Sequence, residues 1–200
     1  MNYFVKLGLV LLIITAIASG ILAYVNGLTA DKIRENKSRV EEEARQEVLS
    51  EAVRFEQQTI TLEAVVEEPN PLKNIADTGP RQFVYYLGYD TADSLVGYTY
   101  VASKYGYSSL VKTMVGVNMD LEIAKIKVIE QSETPGLGAN STSDEFQDRF
   151  TSMSKDQLQV DKDGGAIKSL TGATITSRAV TGSIAEGLQI LADAVSGEEE

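Results

Sequence analysis

Residues 169–177 read Ser169-Leu170-Thr171-Gly172-Ala173-Thr174-Ile175-Thr176-Ser177, and the segment that follows, 175–195, has a helical pattern. In it Val180, Ile184, Leu188, Ile190, Leu191 and Val195 recur so that they can share one core-facing side. The start of a helix leaves amides without partners at the positive end of the helix dipole, which suits a phosphate. Gly172 permits close approach of the backbone, and Ala173 leaves room beside it. Thr and Ser also cap ordinary helices, so on local chemistry alone the run is equally a hydroxyl-rich helix start.

Outward from this run, Asp161 to Gly165 predicts a turn and 145–154 a short helix. Before them lies a turn-rich loop, Glu133-Thr134-Pro135-Gly136-Leu137-Gly138, whose ordinary reading is a tight Pro-Gly turn with Glu133 in solvent. Four runs rich in Val, Tyr, Ile and Thr predict strands at 82–89, 95–103, 110–117 and 124–130. Turns are expected around Tyr89 to Asp93 and at Tyr105-Gly106-Tyr107-Ser108-Ser109. Pro, Asn and Gly place loops at 67–71 and 77–80. Strands grouped first and helices packed later imply an α+β class with an antiparallel sheet and a long C-terminal helix.

Residues 7–25, LGLVLLIITAIASGILAYV, form 19 positions without a charge, the length of one transmembrane helix. Lys6 and the small residues Ala16-Ile17-Ala18 also resemble a cleavable signal, but apolar character resumes at 21–25, beyond that site. The expectation is an uncleaved single-pass anchor in the cell membrane. After Thr29, residues 31–57 predict a charged helix with Ile33, Val40, Ala44, Val48 and Ala52 near one face. The expected organisation is an anchor at 1–28, a stalk helix at 29–58 and an α+β domain at 59–200.

With 200 residues the chain has room for one core and an anchor. It has no Cys and no His, so thiolate nucleophiles, cysteine-held clusters, histidine-held haem and the usual zinc sites are excluded. No catalytic residue and no metal ligand is expected, and a redox role needs an organic cofactor. The net charge of −11 argues against nucleic acid as a partner. Glu198-Glu199-Glu200 reads as a frayed tail.

Thr171-Gly172-Ala173-Thr174 resembles the threonine-glycine-alanine-threonine motif of FMN-binding domains, and Glu133 to Gly138 resembles a second loop of the same family. Two unrelated loops in the expected order, about 40 residues apart, make the resemblance specific. The family is the RnfG subunit of the Rnf electron-transport complex, with the related NqrC subunit of the sodium-pumping quinone reductase. A length near 200 residues is similar to the RnfG type.

The resemblance implies one covalent FMN, held as a phosphoester on Thr174, with Thr176 the second choice. Thr171, Gly172, Ala173 and Thr176 would surround the phosphate; Glu133, Thr134, Gly136, Leu137 and Gly138 would border the ring. It implies an electron-relay subunit of a ferredoxin:NAD oxidoreductase coupled to sodium-ion or proton translocation. The implied partners are the other subunits of that membrane complex and a flavin transferase of the ApbE type. Such transferases usually recognise an acidic residue three positions before the motif; here that residue is Lys168, and Asp163 lies five positions too early.

Topology divides the two kinds of argument. Lys32, Arg34, Lys37 and Arg39 follow the apolar run, which by the positive-inside rule would keep the folded domain in the cytoplasm. The resemblance implies the extracytoplasmic side, and that is the expectation carried forward. The alternatives are a membrane-anchored extracellular FMN carrier for another reductase and a pseudopilin-like structural or assembly subunit. Pseudopilin-like subunits usually carry a glutamate early in the apolar helix, and this one has none.

Overall fold

A five-stranded antiparallel meander organises the chain, with strands in the order β1-β2-β3-β4-β5. The computed structural model describes residues 3–62 and 81–197; the loops expected at 67–71 and 77–80 and the tail 198–200 lie outside them. The elements are α1 (Tyr3–Val48), β1 (Arg54–Leu62), β2 (Arg81–Tyr89), β3 (Leu95–Tyr105), β4 (Leu110–Asn118), β5 (Ile123–Glu130), α2 (Asp144–Gln147) and α3 (Thr174–Gly197). Two compact units result, Met1–Glu42 and Glu43–Glu200.

In the first unit, α1 runs through the apolar stretch, where one window is long and apolar enough to cross a membrane. Thr29 does not start a new helix. Its hydroxyl donates to the Val25 carbonyl at 2.9 Å inside the unbroken α1.

The helix expected to reach residue 57 ends at Val48, and Arg54 to Leu62 form an edge strand. Two bonds close the corner: Ala52 N–H donates to the Leu49 carbonyl, and Gln46 Nε2 donates to the Ala52 carbonyl at 2.7 Å. Val53 N–H then donates to the Tyr89 carbonyl, and pairing continues from Arg54 opposite Tyr89 to Leu62 opposite Arg81. The four predicted strands are present within two residues at each end. The helix expected at 145–154 is a single turn, α2, continued by a short 3-10 turn. Phe146 and Phe150 are fully buried there, ring edge to ring face at 5.4 Å.

On one face of the sheet, Tyr98, Tyr100 and Ala102 of β3 and Val111, Val115 and Val117 of β4 form the main core with Val180, Ile184, Leu188 and Leu191 of α3. The Tyr100 hydroxyl donates to the Ile184 carbonyl at 2.7 Å, and burial pushes its pKa upward. A Cβ on Gly187 would lie 2.3 Å from the Tyr100 ring, so glycine sets how closely α3 sits. A smaller cluster joins Ala44 and Val48 to Met114. There a Cβ on Gly116 would stand 2.2 Å from the Val48 carbonyl oxygen.

Candidate functional site

Three segments far apart in sequence meet at one cleft of about 480 Å³: the β3–β4 turn, the 133–138 loop and the start of α3. That volume falls in the range of small-molecule sites, roughly 300–1,000 Å³. Of the residues singled out in the sequence, Glu133, Thr134, Leu137, Gly138, Gly172, Ala173, Thr174 and Thr176 line it. Thr171 and Gly136 do not. Gly136 shapes its loop through a backbone φ of 76°, and Thr171 is exposed on the turn before α3.

Tyr107 and Ile175 also line the cleft and carried no sequence signal of their own. With Leu137 they leave large apolar surface in the open: Tyr107 is 73 % exposed, Ile175 50 % and Leu137 42 %. Exposed apolar groups on three segments around one opening form a seat for a flat apolar ligand.

The start of α3 is held from behind. Ser177 Oγ accepts from the Leu170 amide at 2.9 Å and donates to the Ala173 carbonyl at 3.0 Å. Asp161 accepts from the Ser169 amide and hydroxyl, which lowers its pKa. Asp163 binds Arg178 through both oxygens, at 2.8 and 2.6 Å. Lys168 is exposed, while its carbonyl accepts from Arg149 at 2.5 Å. Asp163, five positions too early in sequence, is thus brought back to the first turns of α3.

Because Ala173 precedes the helix, the residue there has no side chain with which to cap it. Among the described residues nothing accepts from the amides of Thr174, Ile175 and Thr176, the groups a helix start leaves over. Gly172, at φ 73°, turns the chain into this position, and a Cβ there would meet Leu137 Cδ2 at 3.0 Å.

The two candidate threonines differ sharply. Thr174 is half-buried at the cleft, and its hydroxyl has no hydrogen-bond partner among the described residues. Thr176 is fully buried, and its hydroxyl donates to Glu133 Oε2 at 2.8 Å. Of the two, Thr176 thus lines the cleft with its hydroxyl proton already given to a hydrogen bond with Glu133.

Glu133 is not in solvent. It is 6 % exposed, and its Oε1 accepts from the amides of Ser108 and Ser109, each at 2.9 Å, and from the Ser109 hydroxyl at 3.3 Å. Its Oε2 accepts from the Tyr107 amide at 3.2 Å besides Thr176. Burial acts to raise its pKa, but the Ser108 amide, the Thr176 hydroxyl and the Ser109 and Tyr107 amides outweigh burial and hold it below the ordinary carboxylate value. Gly106 and Gly138 enclose the carboxylate so closely that a Cβ on either would lie 2.7 or 2.6 Å from its oxygens. One carboxylate ties all three segments of the cleft together.

Residues 106–189 match the model of the FMN-binding domain, a span that contains every lining residue. The chain is 36 % identical to the G-type component of a Na(+)-translocating ferredoxin:NAD(+) oxidoreductase complex of Acetobacterium woodii, covering 92 % of this chain and 90 % of that one. It is 30 % identical to the corresponding component of an ion-translocating oxidoreductase complex of Methanosarcina acetivorans, over 97 % and 95 % of the two chains. The chain belongs to the RnfG family of ion-translocating oxidoreductase components. Among solved structures, the NqrC of Shewanella oneidensis shares the fold, with a TM-score of 0.54 at 19 % identity, over 78 % of this chain and 91 % of that one. A pseudopilin-like role is set aside by this membership in the RnfG family.

The cleft suits FMN on its own chemistry. Free amides at the start of α3 match a phosphate, and Tyr107, Leu137 and Ile175 match the faces and edge of a flavin ring. When bound, the flavin supplies reversible uptake and release of electrons. In that case the start of α3 would seat the phosphate, and Tyr107, Leu137 and Ile175 would border the ring, with Glu133 in the same lining.

Proposed function

We propose that this chain is the flavin relay of a membrane ferredoxin:NAD oxidoreductase coupled to translocation of sodium ion or proton, and that its FMN is joined to Thr174 by a phosphoester. The observation that carries the attachment is the contrast between the two threonines. Among the described residues, Thr174 offers an unpartnered hydroxyl beside amides with no acceptor, whereas Thr176 is buried and engaged. Relatives named as components of sodium-ion- and proton-translocating ferredoxin:NAD(+) oxidoreductase complexes support the wider assignment.

In this reading Thr174 is the acceptor of a modification, made by a transferase of the ApbE type, and is not a catalyst. The ferredoxin site, the NAD site and the ion path belong to other subunits of the complex. Residues 7–25 carry no charged side chain that could bind an ion in transit. Residues 1–28 act as the anchor, the charged remainder of α1 as a stalk, and the domain beyond it works on the extracytoplasmic side.

Intact mass of the chain from its native host tests the attachment. An added mass of one FMN less one water, mapped to the peptide holding Thr174, is expected, since a phosphoester forms with loss of water. The unmodified mass, or flavin persisting on denatured Thr174→Ala protein, would overturn it. Coexpression with the cognate transferase tests that partner: Lys168→Asp should take up flavin faster than wild type.

A further inference from the structure

Among the residues lining the cleft, Glu133 is the one charged side chain, and no Lys or Arg joins it. Each of its hydrogen-bond donors is neutral: three amides and the hydroxyls of Ser109 and Thr176. Such dipoles, with the positive end of α3, stabilise a carboxylate without cancelling its charge. A buried charge with no counter-ion among the described residues acts on its surroundings through a lower dielectric than water provides, so its field reaches the cleft. A cation beside an electron acceptor favours electron uptake. This cleft places a fixed anion there.

We propose that Glu133 sets the reduction potential of the flavin held in this cleft, its uncancelled carboxylate charge opposing any gain of negative charge and so keeping the potential low. The proposal rests on FMN occupying the cleft. Reduction of an oxidised flavin ring takes up two electrons. With two protons the ring gains no net charge, and with one proton it gains one negative charge. Glu133 penalises the second outcome, so its effect is larger at alkaline pH, where fewer protons accompany the electrons. The exposure of Thr134 on the same wall gives a place to add the missing cation without touching the carboxylate.

The test is an anaerobic redox titration of the full-length flavinylated protein in detergent, with dithionite as electron donor and flavin absorbance as readout, at several pH values. Glu133→Gln preserves size and removes the charge; Ser109→Ala removes two neutral bonds, the one its hydroxyl donates to Glu133 and the one it accepts from the Ser132 amide, and keeps the charge. The expected result is a potential raised in Glu133→Gln by at least tenfold in the two-electron equilibrium constant, about 30 mV. The shift should grow with pH, and Ser109→Ala should stay at the wild-type value. An unchanged Glu133→Gln potential, or an equal shift in Ser109→Ala, overturns the proposal. If Glu133→Gln does not fold, Thr134→Lys decides: a raised potential supports the role of charge, and an unchanged one overturns it. Absence of flavin from the wild-type protein would be the failure of the flavin assignment itself, read before any titration begins.

Discussion

Thr174 and Thr176 differ by two positions, and their substitutions should have opposite consequences. Thr174→Ala removes a hydroxyl with no partner among the described residues, so its stability should change by no more than about 0.5 kcal/mol while covalent flavin is lost. Thr176→Val removes a buried donor to Glu133, which should cost about 1–3 kcal/mol and leave the flavin attached. Thermal melts of the apo proteins and in-gel flavin fluorescence of the coexpressed ones measure both halves. Glu133 adds a pH signature. Its folded pKa lies below the ordinary value of 4.5, so its stabilisation is fully present above that value and is lost as pH falls through the lower folded value. Melting temperatures of wild type and Glu133→Gln should therefore differ most near neutral pH and converge in acid below about 4.5. A gap that stays constant down to acid unfolding would reject a charged role. The site was partly legible at this scale. Two loops marked most of the cleft, but a glutamate in a Pro-Gly turn looks solvent-facing until the amides of Tyr107 to Ser109, more than 20 residues upstream, are folded against it.

The sheet and α3 announced themselves because each has one strong periodicity and a buried face. β1 did not. Arg54, Glu56, Gln57 and Gln58 continue the charged pattern of the helix before them, and an edge strand with one wet face has too few apolar positions to contradict it. Its strand state comes from the unpaired edge of β2, which the sequence of β1 alone does not contain. The corner between α1 and β1 depends on Gly116 in the same non-local way. A methyl there would meet the Val48 carbonyl oxygen at 2.2 Å, and a backbone oxygen cannot swing aside as a side chain does. Gly116→Ala should destabilise the Glu43–Glu200 unit by about 2–3 kcal/mol, near the upper end of overpacking costs. For a protein of this size that is a fall in melting temperature of roughly 4–12 °C. Gly197→Ala, with open space at its Cβ, is the control expected to melt like wild type. Equal melting of the two variants would show that the corner relaxes freely.

At the scale of the whole molecule, the side of the membrane on which the cleft lies decides which partners can exchange electrons with it. The count of basic residues favours the cytoplasm: Lys6 precedes the apolar stretch, and Lys32, Arg34, Lys37 and Arg39 follow it. That preference is weak here because a long folded domain after the anchor is exported largely regardless of nearby charge. We therefore expect the Glu43–Glu200 unit outside the cytoplasm. The absence of native cysteine gives a clean reporter, because any introduced thiol is unique. Tyr105→Cys places one at the exposed end of β3, 75 % accessible and outside the cleft lining, and Asn2→Cys places one before the apolar run. In spheroplasts treated with a membrane-impermeant maleimide, the Tyr105→Cys protein should label at once and the Asn2→Cys protein only after permeabilisation. The reverse pattern would place the flavin domain in the cytoplasm, and the Lys and Arg count would then be the better guide to its orientation.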